Sequence, residues 1–266
     1  VDEALPTWDV SNPTYSGPPR AAEIDVTEGT WLSIDVSPDG QTLIFDLLGD
    51  LYLLDIAGGA ARSLTSGLAW DIQPRFSPDG KQVVFVSDRA GGDNVWVMTL
   101  ATGALKQITK ESFRLLNSPV WHPNGQFIAA KKHFTTSRSL GTGEIWLYDA
   151  TLPAPSDGVE LVARPNKNYQ KELGEPAFSA DGETLFYTQS ATSGNTFIYH
   201  DDSHGGLFQI KQLDLKTGET DVVAGGYGGA VRPVPSPDGQ HLAYVKRVRS
   251  ESRLFVMDLD SQAERM

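Results

Sequence analysis

A four-residue turn sequence that recurs five times constrains the fold of this chain more than any other feature. Ser-Pro-Asp-Gly occurs three times unchanged, and two close variants stand between the second and third of these copies. Successive copies, called tetrads below, begin 40, 45, 57 and 57 residues apart; they are Ser37–Gly40, Ser77–Gly80, His122–Gly125, Ser179–Gly182 and Ser236–Gly239. Such spacing indicates an architecture of similar units stacked against one another.

The residue types of the tetrad predict a hairpin corner. Proline presets φ for the second position of a type I turn, and aspartate or asparagine tolerates the next position and can bond its own backbone. Glycine adopts the positive φ that a side chain resists. Alternating apolar runs follow each turn, for example Thr42–Phe45 and then Leu51–Leu54 in the first unit. With a strand before the turn and a fourth after a short polar turn, each unit has four strands.

Prolines mark the first strand of four units, because each lies three residues before its tetrad: Pro74, Pro119, Pro176 and Pro233. Proline cannot donate to a strand ladder, so we expect these strands at sheet edges. Ile34 takes this place in the first unit. Large residues two positions after the prolines are expected to pack between units; they are Phe76, Trp121 and Phe178.

The fold class predicted from these patterns is all-β, a β-propeller of four-stranded blades. We assign residues 1–21 to an N-terminal extension and 22–266 to the propeller, with units starting near 31, 70, 117, 174 and 231. Residues 22–26 alternate in polarity and predict a spare strand before the first unit. Either five blades close the ring, or the chain is the front of a longer polypeptide with six or more blades. We favour the second alternative.

Composition excludes several function classes. The net charge is −12, and such a surface repels nucleic acid and anionic membranes, whose recognition depends on Lys and Arg. The chain has no cysteine, so disulfides, thiolate catalysis and cysteine zinc sites are excluded. No stretch approaches the roughly 20 apolar residues of a membrane-spanning helix. We therefore expect neither a nucleic-acid partner nor membrane insertion.

Strand alternation places the blade-to-blade loops and the loops between second and third strands on one face, opposite the tetrads. The longest second-to-third loops are predicted at 135–143 and 190–206, and long loops gathered on one face commonly carry function. Polar residues near this face are candidates for binding a small polar ligand or peptide; they are Trp70, Asp71, Arg114, Asn117, Lys132, His133, Arg138, Glu175 and Arg232. The alternative interpretation is that these groups pair with each other at blade junctions.

Metal and catalytic motifs are weak or missing. The segment His200–His204 holds two imidazoles and two carboxylates, which suit a transition metal, but it has no fixed spacing motif and we favour its interpretation as a solvated loop. Acidic side chains such as Asp71 and Glu175 are a weaker candidate set for calcium. The sequence has no G-x-S-x-G, H-E-x-x-H or H-x-H motif, and the glycine-rich segment 225–229 lacks the Lys-Ser/Thr of a phosphate loop. We predict no catalytic residue, no metal site and no cofactor.

The tetrad and its flanking strands resemble the TolB-type, WD-like propeller repeat of bacterial exported proteins. The resemblance extends from about Trp31 to the end of the sequence. Several segments also resemble the N-terminal propeller of large exported amidohydrolases; they are 25–31, 67–71, 132–134, 139–144 and 228–233. This second resemblance implies a metal-dependent hydrolase domain after the propeller. TolB itself has an α/β domain before its propeller, for which this chain has only about 20 residues.

Three functions follow as expectations. The first is a non-catalytic propeller module that gates or supports the active site of an exported bacterial amidohydrolase, with the downstream hydrolase domain as its partner. The second is a stand-alone, TolB-like propeller that binds another periplasmic protein. The third is a small enzyme with an unrecognised channel site. The resemblance implies a periplasmic or secreted location.

Overall fold

Each tetrad closes its hairpin through a local hydrogen-bond network in the computed structural model, which describes residues 24–137 and 140–266. In the first tetrad the amide of Gly40 donates to the carbonyl of Ser37 (2.8 Å), and Gly40 has a φ of 72°. The Ser37 hydroxyl donates to Asp39 Oδ1 (2.6 Å) and accepts from the Thr42 amide (2.9 Å). The same serine bonds recur at the tetrads that begin at 77, 179 and 236. The turn prediction is confirmed, and the serine adds a role that the sequence reasoning missed.

The chain divides into two compact units, residues up to Leu115 and Leu116–Met266, which are described separately. The first unit contains two antiparallel four-stranded sheets, each in simple sequential order. The first blade consists of β1 (Ile34–Val36), β2 (Thr42–Leu47), β3 (Asp50–Asp55) and β4 (Arg62–Ser63). The second blade consists of β5 (Asp71–Phe76), β6 (Gln82–Ser87), β7 (Asn94–Thr99) and β8 (Ala104–Gln107).

The second unit contains three sheets of the same order. The third blade consists of β9 (Leu116–Trp121), β10 (Phe127–Thr135), β11 (Gly141–Asp149) and β12 (Val159–Val162). The fourth consists of β13 (Leu173–Phe178), β14 (Thr184–Ser190), β15 (Phe208–Asp214) and β16 (Thr220–Ala224). The fifth consists of β17 (Val231–Pro235), β18 (His241–Val248), β19 (Glu251–Asp258) and β20 (Glu264–Arg265). The all-β class with five four-stranded blades is therefore confirmed, and a larger number of blades stays a prediction.

Apolar faces of neighbouring sheets pack together within each unit. In the first unit, Phe76 of the second blade lies in one cluster with Ile44 and Leu51 of the first. In the second unit, Phe178 packs with Ala129 and Ile145 of the third blade. A further cluster joins the fourth and fifth blades; it contains Phe186, Ile210, Ala224, Ala230, Leu242, Tyr244 and Met257. The predicted packing of Phe76 and Phe178 between blades is confirmed, and the four proline-bearing strands are edge strands, as expected.

Two local predictions need correction. Residues 24–26 form no strand, because Ile24 and Val26 line a groove beside Trp31 instead of pairing with a sheet edge; residues 22–23 lie outside the described residues. The predicted long loop 135–143 is mostly strand, because the β10–β11 pairing continues without a break to Thr135 opposite Gly141. In the fifth unit the predicted fourth strand is present but short, because β20 is only two residues long. Within the described residues, no helix is long and apolar enough to cross a membrane.

Candidate functional site

The first strands of four blades share an unusual backbone conformation immediately before their prolines. The residues at this position have a φ between 52° and 58°, the left-handed region; they are Gln73, Ser118, Glu175 and Arg232. The ladder register shifts at each of these places, which marks a β-bulge. A non-glycine residue held in this region costs about 1–3 kcal/mol, and such residues cluster at functional sites. The residue before a proline is usually extended, and the sequence analysis did not predict these bulges.

Side chains from the second strands hold these bulges in place. In the first unit, Asp46 Oδ2 accepts from the Gln73 amide of the next blade, and Oδ1 accepts from the Ser33 amide, both at 2.7 Å. In the second unit, the Arg232 amide donates to Thr188 Oγ1 (3.2 Å). Asp46 and Thr188 both stand six residues after a tetrad glycine. In both cases the second-strand residue six positions after the tetrad glycine accepts a hydrogen bond from the amide of the positive-φ residue in the following blade.

Replacing Asp46 by alanine should lower the free energy of unfolding by about 2–3 kcal/mol, because two amides lose a charged acceptor at a nearly buried site. Urea unfolding followed by tryptophan fluorescence measures the change. Asp46→Asn is the matched control, since its single carbonyl oxygen accepts from one of the two amides and should recover part of the loss. Equal stability of all three proteins would show that Asp46 does not hold the bulge.

Glu175 and Arg232 are the pair of predicted site residues that the structure brings together. Glu175 Oε2 accepts from the Arg232 amide (2.9 Å) and from the Thr188 hydroxyl (2.7 Å). The Arg232 Nε lies 3.5 Å from Glu175 Oε1, and the Arg232 side chain is mostly exposed. The pair therefore presents an accessible guanidinium at the bulges of the fourth and fifth blades.

Trp70 and Asp71 are adjacent in the first unit but have different environments. The Trp70 ring lies against Gly49 and is half exposed, and its amide donates to Asp88 Oδ1 (2.8 Å). Asp71 is buried, with its two carboxylate oxygens 2.6 and 2.7 Å from Arg89 Nη2. This geometry fits the structural interpretation for Asp71, while Trp70 faces a groove.

Lys132 and His133 belong to β10. Lys132 is buried, and its Nζ lies 4.1 Å from the centroid of the Trp146 ring, a cation–π contact. His133 is half-buried and pairs with Gly143 in the ladder. Lys132 therefore packs on its own sheet rather than facing solvent.

The remaining predicted residues are dispersed. Arg114 is half-buried near the end of the first unit. Asn117 lies in β9, where its Oδ1 accepts from the Ser118 hydroxyl at 3.4 Å. Arg138 lies outside the described residues. Among the residues that the structure describes, no group of three or more His, Asp or Glu side chains is arranged to hold a metal ion.

Exposed aromatic residues near loop 191–207 were missed by the sequence reasoning. Phe197 and Tyr199 pack edge to face (4.9 Å between centroids), and Tyr227 stacks with His204 (5.9 Å). Tyr199 and Tyr227 are 80% and 73% exposed. We call Phe197, Tyr199 and Tyr227 the aromatic rim. Aromatic residues inside loop 191–207 and in the glycine-rich connection 225–229 were the available signal, but the sequence does not show which side chains stay exposed.

Both ends of loop 191–207 are held by the surrounding structure. At its start, Lys171 Nζ donates to Thr192 Oγ1 and to the Ser193 carbonyl, both at 2.5 Å, and the Gln170 amide donates to the Asn195 carbonyl (2.9 Å). Near its end, the Gly228 amide donates to the His204 carbonyl (3.1 Å). The aromatic rim is therefore presented by an anchored loop, not by a free one.

The first unit has an apolar groove of its own, with a volume of about 490 Å³. Trp31, which is fully exposed, and Trp70 lie along it. Asp46 and Gln73 contribute polar groups to its lining. The groove therefore combines indole surface with the bulge of the second blade.

Comparison with known proteins agrees with this architecture. The TolB beta propeller domain model matches residues 20–147. The chain is 30% identical over 165 residues to the Tol-Pal system protein TolB of Helicobacter hepaticus, covering 60% of this chain and 37% of that protein. It is 27% identical over 254 residues to TolB of Francisella tularensis subsp. holarctica, covering 92% and 52%.

Solved structures show the same fold. The structure of putative TolB from Agrobacterium tumefaciens superimposes with a TM-score of 0.67 at 19% identity, covering 88% of this chain and 78% of that one. The chain spans about half or less of the length of the two curated relatives described above. The predicted resemblance to the TolB-type propeller repeat is confirmed, since residues 20–147 match the TolB beta propeller domain and the whole described chain has the propeller-blade fold.

Proposed function

We propose that this chain is a TolB-like propeller module, periplasmic or secreted, that binds another protein through the face carrying the aromatic rim. The observation that carries the proposal is the exposure of Tyr199 and Tyr227 on an anchored loop and connection. Exposed aromatic side chains of this kind are typical anchors of protein interfaces. The named relatives are components of the Tol-Pal system, which supports a protein partner.

A charged pair in the same unit supports the same proposal. Arg232 offers an accessible guanidinium, and arginine, like tyrosine, is enriched at interface hot spots. Glu175 holds the Arg232 backbone in place, so the side chain projects from a fixed position. A partner surface with a carboxylate flanked by apolar groups would suit this arrangement.

Calorimetry tests the proposal by measuring the binding of this chain to the purified Pal protein of the Tol-Pal system from the organism that encodes the chain. The Tyr199→Ala/Tyr227→Ala double variant should weaken binding by about tenfold or more, because hot-spot aromatics contribute above about 1.4 kcal/mol. Phe113→Ala is the matched control, since Phe113 is a similarly exposed aromatic (79%) in the first unit, and it should bind within about twofold of the parent protein. No binding by the parent, or equal weakening by both changes, would contradict the proposal.

A second candidate is the same module within a longer exported amidohydrolase, where it would gate or support the downstream active site. The segment resemblances described above motivate it. The observation that favours a further blade is an exposed apolar face of the fifth blade, on which Leu254 is 62% exposed. Leu51, Ile145 and Ile210 hold the same register position in other blades and are fully buried.

We propose that a further blade covers this face. The same face also carries Val234, which is exposed, and Ala243 and Val256, which are half-buried. An apolar sheet face of this kind needs a partner to be removed from water. A further blade is common to the second candidate and to a larger TolB-like propeller, so it does not separate the two.

A further inference from the structure

His204 makes two ring contacts that a neutral imidazole cannot satisfy together. Its Nδ1 lies 2.9 Å from Asp202 Oδ1, and its Nε2 lies 2.8 Å from the carbonyl oxygen of Arg249. A carboxylate and a carbonyl oxygen are both acceptors, so each ring nitrogen must donate. A neutral imidazole carries one N–H, whereas the imidazolium carries two.

We infer that His204 is a protonation-dependent anchor that fastens the end of loop 191–207 to the turn between β18 and β19. The anchor joins three segments. The ring bonds the Arg249 carbonyl of the turn and stacks on Tyr227, while the His204 carbonyl accepts from the Gly228 amide. Arg249 itself has a φ of 54°, so its carbonyl is presented by a tight turn.

The charged groups around the ring favour the protonated form. The hydrogen bond to Asp202, and then that to the Arg249 carbonyl, raise the pKa of His204 above its ordinary value, and the positive charge of Arg247 opposes this more weakly. The His204 amide and ring in turn lower the pKa of the Asp202 carboxyl. Tyr227 contributes a ring face to the site.

The direction of the pH dependence follows from the raised pKa. The anchor is complete below the ordinary histidine pKa of about 6.5 and is lost as the pH rises through the higher value of the folded protein. Above that pH one of the two ring bonds lacks its proton, and the loop end should open more often. The start of the loop does not share this response, because Lys171 donates there to a hydroxyl and a carbonyl.

The experiment is a pH titration from 5 to 9 of the full chain by NMR, with two readouts. The first is the pKa of His204 with His200 of the same loop as internal control; the second is the hydrogen-exchange protection factor of the Gly228 amide, corrected for intrinsic exchange. We expect the His204 pKa to lie above the ordinary histidine value of about 6.5, and Gly228 protection to fall severalfold across it.

Two variants make the result decisive. Asp202→Asn should bring the His204 pKa down towards 6.5 and shift the loss of Gly228 protection to lower pH by the same interval. His204→Gln, which can donate to one acceptor at any pH, should make Gly228 protection independent of pH. A His204 pKa at or below about 6.5 would overturn the inference, and so would Gly228 protection that does not follow the titration.

Discussion

Replacing Leu51 by alanine should lower the free energy of unfolding by about 2–5 kcal/mol, the range for removing a fully buried leucine. Leu51 is fully buried in the cluster between the first and second blades, with Ile44, Phe76 and Phe85 around it. The substitution removes apolar contacts and leaves a cavity that strands fixed by ladder hydrogen bonds cannot readily fill. Chemical denaturation at constant pH measures the loss.

Leu254→Ala is the matched control, because it is the same substitution at the same register position. Leu51 pairs with Asp46 and Leu254 with Val245, and both of these residues stand six positions after a tetrad glycine. Leu254 is mostly exposed, so its truncation should change stability by no more than about 0.5 kcal/mol. In a longer chain with a further blade, the cost should rise towards that of Leu51→Ala. A large cost already in these 266 residues would contradict the exposed face.

Replacing Asp71 by alanine should destabilise the first unit by about 3 kcal/mol, near the lower end of the range for breaking a buried ion pair. The Arg89 guanidinium would remain over the rings of Phe85 and Trp96, with its Cζ 5.4 Å from each ring centroid, but without its carboxylate. The Ser87 hydroxyl, 2.9 Å from Arg89 Nε, would still accept a hydrogen bond from the guanidinium. Thermal unfolding monitored by calorimetry measures the effect.

Glu251→Ala provides the contrast for this ion pair. Glu251 and Arg253 form a pair on β19 in which both side chains are more than half exposed, so its loss should cost less than about 1 kcal/mol. Asp71→Leu combined with Arg89→Met should recover most of the stability lost in Asp71→Ala, because no buried charge is then left alone. If Asp71→Ala were as mild as Glu251→Ala, Asp71 would be available for a ligand.

The repeated architecture could be predicted because its signals are local. Proline and glycine in a tetrad restrict φ at fixed places, and the alternating runs after each turn show which strand faces are apolar. The structure confirms the turn at Ser37–Gly40, the edge strand of Pro74 and the packing of Phe178 between blades. The strand predicted at residues 24–26 was wrong, because alternating polarity produces a strand only where a sheet edge is available for pairing.

The candidate site could be predicted only in part. Glu175 and Arg232 were chosen as polar residues next to first strands, and they do meet. Asp71 was chosen on the same grounds, and Lys132 as a polar residue near the same face, yet both are buried against their own sheets. A polar residue beside a strand does not show whether a distant residue will pair with it, as Arg89, 18 positions later, does with Asp71.

The sequence by itself determined the hairpin corners, the four-stranded units and the proline-bearing edges, since each depends on backbone preferences of neighbouring residues. Only the tertiary structure decided which polar groups are paired, which aromatic side chains remain exposed, and that His204 faces two acceptors. Those outcomes depend on contacts between residues far apart in the chain, 45 positions in the case of His204 and Arg249. Local propensity carries no information about such contacts.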